Sequence, residues 1–209
     1  MTTLVRHKHN AIYVPTPEQP NREFSSQEPI GHFKMSLFGS FHLEGPNGEN
    51  LTPRGQKARA LLALVALAKR GQRSRIWLCS KLWSDRPAEQ AYASLRQALA
   101  EIRKALGVYS ESILGADKFD VSLDLSKVSV DAVELRLALT EKGLQHAEVP
   151  QEDFLEGLNV GDEEFEEWLT IERSRWADVR DELEYSQTAA QPAAWLRTSA
   201  PLPAIALHH

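Results

Sequence analysis

The stretch PAEQAYASLRQALAEIRKALG, residues 87–107, decides the fold. Pro87 suits the first turn of a helix, and Gly107 suits the position just past its end. At about 100° per residue, Ala91, Leu95, Leu99, Ile102 and Leu106 fall on one inward line. The opposite side shows Gln90, Ala93, Gln97, Ala100 and Lys104, with Arg96 and Arg103 on one flank and Glu101 on the other. That outer face admits two readings. One is the solvated side of an ordinary amphipathic helix. The other is a helix that enters a DNA major groove: Ala93 and Ala100 permit close approach, Gln97 pairs with adenine, Arg96 pairs with guanine, and Arg103 and Lys104 reach phosphates.

The chain before this helix supplies what it needs to pack against. Met35, Leu37, Phe41 and Leu43 alternate around a break at Gly39, the pattern of short half-buried strands, and residues 45–48 (GPNG) form a turn. Thr52 and Pro53 read as the start of a first helix, in which Ala58, Leu61, Leu62, Val65 and Ala68 share a face and Gly71 marks the stop. Ser74 caps a shorter second helix with Leu78, Leu82 and Trp83 inward. Behind the third helix, residues 112–123 read as a hairpin, with Ile113 on one strand, a turn near Ala116 and Asp117, and Phe119, Val121 and Leu123 alternating on the other. Strands, three helices and a terminal hairpin are the order of an α+β winged helix-turn-helix, assigned to residues 31–125. Lys118 at the hairpin turn is either a wing contact to DNA or an ordinary turn lysine. Arg54, Lys57 and Arg59 either contact phosphates or keep the start of the first helix soluble.

Charge divides along the same line. Between Arg54 and Lys104 there are twelve basic residues against three acidic ones, whereas between Glu134 and Glu184 there are sixteen acidic against five basic. The overall charge of -5 therefore hides a cationic and an anionic segment, which read either as one unit that faces a polyanion and one that faces something else, or as a merely solvated surface.

The anionic unit reads as helical. Val130 and Asp131 lead into a helix bearing Val133, Leu135, Leu137 and Leu139, and a second helix carries Phe165, Trp168, Leu169, Trp176, Val179 and Leu183. Asp162, Glu163 and Glu164 occupy its first turn, where carboxylates favour the positive end of the macrodipole. Residues 130–185 are thus an all-α, TPR-like partial domain. Residues 1–30, with four prolines and few large apolar groups, read as a flexible tail, and residues 186–209 as a disordered one. His7 and His9 fall on the first of these tails and read as incidental.

Several function classes find no support. Cys79 is the sole cysteine, so no disulfide framework or multi-thiol metal site exists within one chain, and its apolar neighbours make it a packing residue. No glycine-rich phosphate loop, nucleophile elbow or helical histidine pair is present, and no cofactor is expected. The acids of residues 162–167 lack the spacing of a calcium loop. Neither a membrane-length apolar run nor a signal-peptide core is found, so a cytoplasmic, non-enzymatic protein is expected.

The run Leu82-Trp83 with Asp85, then Ala91, residues 94–99 (SLRQAL) and residues 102–107 (IRKALG), resembles the DNA-binding half of the SARP-type bacterial transcriptional activators, which carry an OmpR/PhoB-like winged helix. Residues 54–67 are similar to the first helix of that half. Val130-Asp131 with Leu135 resembles the junction to the bacterial transcriptional activator domain (BTAD), and residues 154–158 (FLEGL), 165–169 (FEEWL) and Glu172-Arg173 resemble an early signature of it. The resemblance implies binding to tandem DNA repeats near promoters, recruitment of RNA polymerase, and a homodimer on DNA as one arrangement. Two departures accompany it. Glu101 stands where relatives carry a basic or small polar residue, which implies either repulsion from phosphate or acceptance from a cytosine amino group. The helical domain is also truncated after Tyr185, so Phe165, Trp168 and Trp176 are expected to pack back on the winged helix or on a second subunit. The alternative reading is a protein-interaction module whose winged helix no longer binds DNA.

Overall fold

The computed structural model describes residues 32–141, 143 and 147–190. Both expected tails, apart from residues 186–190 and the two tail histidines included, lie outside the described residues. The alternating apolar segment forms β1 (Phe33–Ser36) and β2 (His42–Glu44), antiparallel with Met35 opposite Leu43. Phe33, Met35 and Leu43 all point inward and are buried, as a period of two requires.

A third strand completes this sheet from far along the chain. β6 (Val128–Val130) runs parallel to β1, with Phe33 opposite Val128 and Met35 opposite Val130. The sequence reading placed Val130 only as a lead into a helix, and three residues are too few to declare a strand by alternation. β6 falls just beyond the expected division at residue 125, and it is the partner that closes the N-terminal sheet.

Between β2 and β6 lie the helices and a second sheet. α1 (Gln56–Ala66) is the central helix: Ala58 and every residue from Ala60 to Ala66 are buried. It begins four residues later than the Thr52 start expected from sequence. The Thr52 hydroxyl accepts instead from the Leu43 N–H at 2.9 Å, and the backbone N–H of Gly55 donates to Glu101. A 3-10 turn at Lys69–Gly71 then leads to β3 (Gln72–Ser74) and α2 (Arg75–Leu82). Ser74 does cap α2, its hydroxyl accepting from the Trp77 N–H at 3.3 Å.

α3 (Ala88–Leu106) occupies the span read from sequence, with Gly107 at a positive φ of 56° ending it. The chain continues through a single helical turn, α4 (Ser110–Ile113), into β4 (Leu114–Ala116) and β5 (Asp120–Leu123). These form the expected hairpin, although residues 112 and 113 are helical and the turn sits at residues 117–119. β3 adds to its outer edge, giving the order β3-β5-β4 with Arg73 opposite Val121.

The acidic half consists of α5 (Asp131–Glu141) and α6 (Glu163–Ala190). On α5, Leu135 is buried but Leu137 is exposed, because residues two apart cannot share a helical face. α6 runs past Tyr185, so residues 186–190 are helical where a disordered tail is expected from sequence. Ala189 and Ala190 are strong helix formers, and the Gln187 amide donates to the Ala147 carbonyl at 2.9 Å.

The connection between α5 and α6 docks on the first sheet. Gly39 N–H donates to Asp153 O at 2.8 Å and Leu155 N–H to Leu37 O at 2.7 Å. Leu155 sits in the left-handed region at φ 49° with its side chain fully buried. Arg173 holds that turn by donating to the Phe154 and Leu155 carbonyls, at 2.9 and 2.6 Å. Trp176 then stacks on Phe154 and meets Phe38 edge-on. Trp176 thus returns onto the N-terminal sheet, as expected of the α6 aromatics, and Phe165 joins it in one buried apolar cluster that extends from Phe33 to Leu183, with Trp168 partly buried against it.

Candidate nucleic-acid interface

The inward line of α3 is buried as a whole: Ala91, Leu95, Ala98, Leu99, Ile102 and Leu106 all join the core. Burying each leucine contributes about 1.5–3 kcal/mol, which fixes the rotation of the helix about its axis. Its outward face follows from that rotation. Gln90, Arg96, Gln97, Ala100, Arg103 and Lys104 are exposed, and Ala93 is half-buried. Arg103 and Lys104 lie in the last turn, where cations favour the negative end of the helix dipole.

Glu101 does not behave as the sequence reading expects. Its carboxylate accepts from the Gly55 N–H at the start of α1, at 2.5 Å, and it is only half exposed. The acid therefore joins α3 to α1 and is compensated by the Gly55 amide at that helix end. Space is tight: a Cβ on Gly55 would lie 2.6 Å from the Glu101 carboxylate.

The hairpin tip is built from its own backbone. Asp117 Oδ1 accepts from the Phe119 N–H at 2.7 Å and the Asp120 N–H at 2.8 Å, and these bonds hold its carboxyl below the usual range, that from Asp120 most strongly. Lys118 is exposed at this tip with its ammonium 5.5 Å from the centre of the Phe119 ring. Phe119, which alternation would place inward, is 68% exposed because the turn claims it. The Arg75 N–H donates to the Phe119 carbonyl at 2.8 Å, fastening the tip to the start of α2.

The three basic residues around α1 separate. Arg54 is exposed. Arg59 is half-buried, its Nε donating to the Pro53 carbonyl at 2.7 Å. Lys57 reaches inward across the end of α2, donating to the Leu82 carbonyl at 2.6 Å and lying 5.4 Å from the Trp83 ring centre. Burial pushes its ammonium below the usual lysine range, an effect that the Asp162 charge opposes. Sequence reasoning missed Arg73 and Arg75, which flank the hairpin. Arg73 lies 4.4 Å over the Trp77 ring, an arrangement that depends on β3, a strand of three residues with no sequence signal of its own.

The remaining candidates are accounted for by packing. Cys79 is buried, and burial raises its thiol above the usual value. Among the described residues no group of three histidine, cysteine, aspartate or glutamate side chains could hold a metal ion, and no helix is long and apolar enough to cross a membrane.

No family model and no curated protein matches the sequence. The fold is nevertheless shared with a solved protein. EmbR of Mycobacterium tuberculosis, determined in complex with a low-affinity phosphopeptide, superposes with a TM-score of 0.55 at 18% sequence identity. The match covers 76% of this chain and 48% of EmbR, so the chain spans about half the length of that protein. At this identity the likeness establishes a common fold, α+β with small sheets and helices.

Proposed function

We propose that the chain is a sequence-specific DNA-binding transcriptional regulator built on a winged helix-turn-helix. In this reading α2, the turn at residues 83–87 and α3 are the helix-turn-helix, α3 reads the major groove, and the β4–β5 hairpin is the wing. The observation that carries it is the open outer face of α3, where Arg96 and Gln97 stand exposed over a buried leucine line beside a hairpin with Lys118 exposed at its tip. Gln97 and Arg96, with Gln90 and Ala93 on the groove side, read base edges. Arg103, Lys104, Lys118, Arg54 and Arg59 contact phosphates, and Lys57 braces α1 against α2 beneath them.

The fold shared with EmbR and the resemblance to SARP-type activators support the same reading. They extend it to a cytoplasmic, non-enzymatic activator that binds promoter repeats, as a homodimer on DNA, and recruits RNA polymerase. The unit boundaries of residues 31–125 and 130–185 belong to the proposal too, with β6 shared between them.

The test is a gel-shift series with the full chain on a promoter fragment across a range of salt. Binding that falls steeply with salt is expected, and Lys104→Ala should reduce the slope by about 0.9. Absence of any shift at low salt defeats the reading. Two exposed apolar side chains, Ile76 at 72% and Phe119 at 68%, favour the alternative of a protein-docking surface in that event.

A further inference from the structure

The buried carboxylate of Asp162 lies off the DNA-facing surface described above and acts there only through its charge near Lys57. It is 3% exposed, and burying a carboxylate is costly unless its oxygens are satisfied. Both oxygens accept from one residue in the turn before α3: Oδ2 from the Ser84 N–H at 2.8 Å and Oδ1 from the Ser84 hydroxyl at 2.9 Å. Asp162 immediately precedes α6, and its own carbonyl accepts the Glu166 N–H at 3.0 Å. An aspartate at a helix start ordinarily turns its carboxylate back onto the first free amides of that helix. Here the carboxylate reaches across to another element instead.

A second contact runs parallel to the first. Glu164, in the first turn of α6, pairs with Lys81 near the end of α2 at 2.5 Å. Together they clamp the last turn of α2 and the α2–α3 turn to the start of α6. α3 begins at Ala88, four residues after Ser84, so whatever fixes Ser84 fixes the entry of that helix. Base readout tolerates errors of only a fraction of an ångström in where a side chain is presented.

We propose that Asp162 is a positioning residue, through which the acidic helix sets the placement of α3 on DNA by holding Ser84. The inference rests on the DNA-binding reading and predicts an effect of unexpected sign. Removing a negative charge near a polyanion ordinarily strengthens binding. Loss of a positioning contact weakens it, and only toward the sequence that α3 reads.

The experiment uses the full chain and two duplexes: one enriched from a random pool by the unaltered protein, and a scrambled duplex of the same composition. Asp162→Ala, which removes both acceptors, is expected to lower affinity for the enriched duplex about tenfold, with binding to the scrambled duplex and the salt slope unchanged. Hydrogen exchange at the Ser84 amide should accelerate in the same variant. Ser84→Ala, at an exposed position that deletes one of the two bonds, should give about a threefold loss in the same direction and stands in if Asp162→Ala does not fold. Equal or tighter binding of the enriched duplex by both variants overturns the proposal while leaving the DNA reading intact. Failure of the unaltered chain to enrich any duplex overturns both.

Discussion

Helices α3 and α6 are both amphipathic and both rich in charge, yet they differ in how much of that charge is tied to the rest of the molecule. α3 leaves Glu89, Arg96, Gln97, Arg103 and Lys104 in water, and Glu101 on its flank is bound to the start of α1. α6 also leaves most of its charge in water, but it and the residue before it commit three charged groups to protein partners: Asp162 to Ser84, Glu164 to Lys81, Arg173 to the carbonyls of Phe154 and Leu155. A charged side chain satisfied within the molecule contributes to the fold, and one left solvated is available to a ligand. Net charge per segment, which separates the two halves so sharply, does not distinguish these uses.

The contrast breaks first, if at all, at the aromatic contact. Trp176→Ala should cost about 3–5 kcal/mol in urea denaturation, since its ring fills the space between Phe38 and Phe154. A loss under about 1 kcal/mol, or a biphasic curve, would mean that α6 folds apart from the N-terminal sheet.

On α3 the opposite profile is expected. Gln97→Ala should leave the urea midpoint within about 0.5 kcal/mol of the parent, as an exposed substitution does. In a competition gel-shift its specific affinity should fall by about 1–3 kcal/mol. A stability loss of the size expected for Trp176 would place Gln97 in the fold and not at the interface.

Glu101 sharpens the line between the two. Glu101→Ala should lower stability by about 1 kcal/mol through the lost contact with the Gly55 amide. DNA affinity should not rise, because the carboxylate is already compensated. An affinity gain with unchanged stability would restore the view of Glu101 as a repulsive residue.

The smallest effect concerns Asp131, which ties α5 to the first sheet. Burial raises its carboxyl above the usual value, against the pull of hydrogen bonds from the Phe38, Leu37 and Ala132 amides. With the folded pKa above the unfolded one, the folded state holds the proton more tightly between the two values. This group's contribution to stability is therefore full below the unfolded value and is lost as pH rises through the folded one. Asp131→Asn should flatten that part of the stability profile, measured by urea midpoints across the acidic range. A parent profile that rises where the variant is flat would reverse the assignment.

Sequence alone determined the inward and outward sides of α3, its end at Gly107, the cap at Ser74 and the existence of a hairpin before residue 123. These are consequences of periodicity and of backbone preferences at single residues, both of which act over a few positions. Tertiary structure decided the rest: β6 beside β1, the late start of α1, Glu101 bound to Gly55, Lys57 turned toward Leu82, and Asp162 holding Ser84. Each of these joins residues distant in the chain or depends on such a join. A carboxylate or ammonium carries no local signal of its partner, because many distant groups could satisfy it and only the packed fold brings one within hydrogen-bond reach.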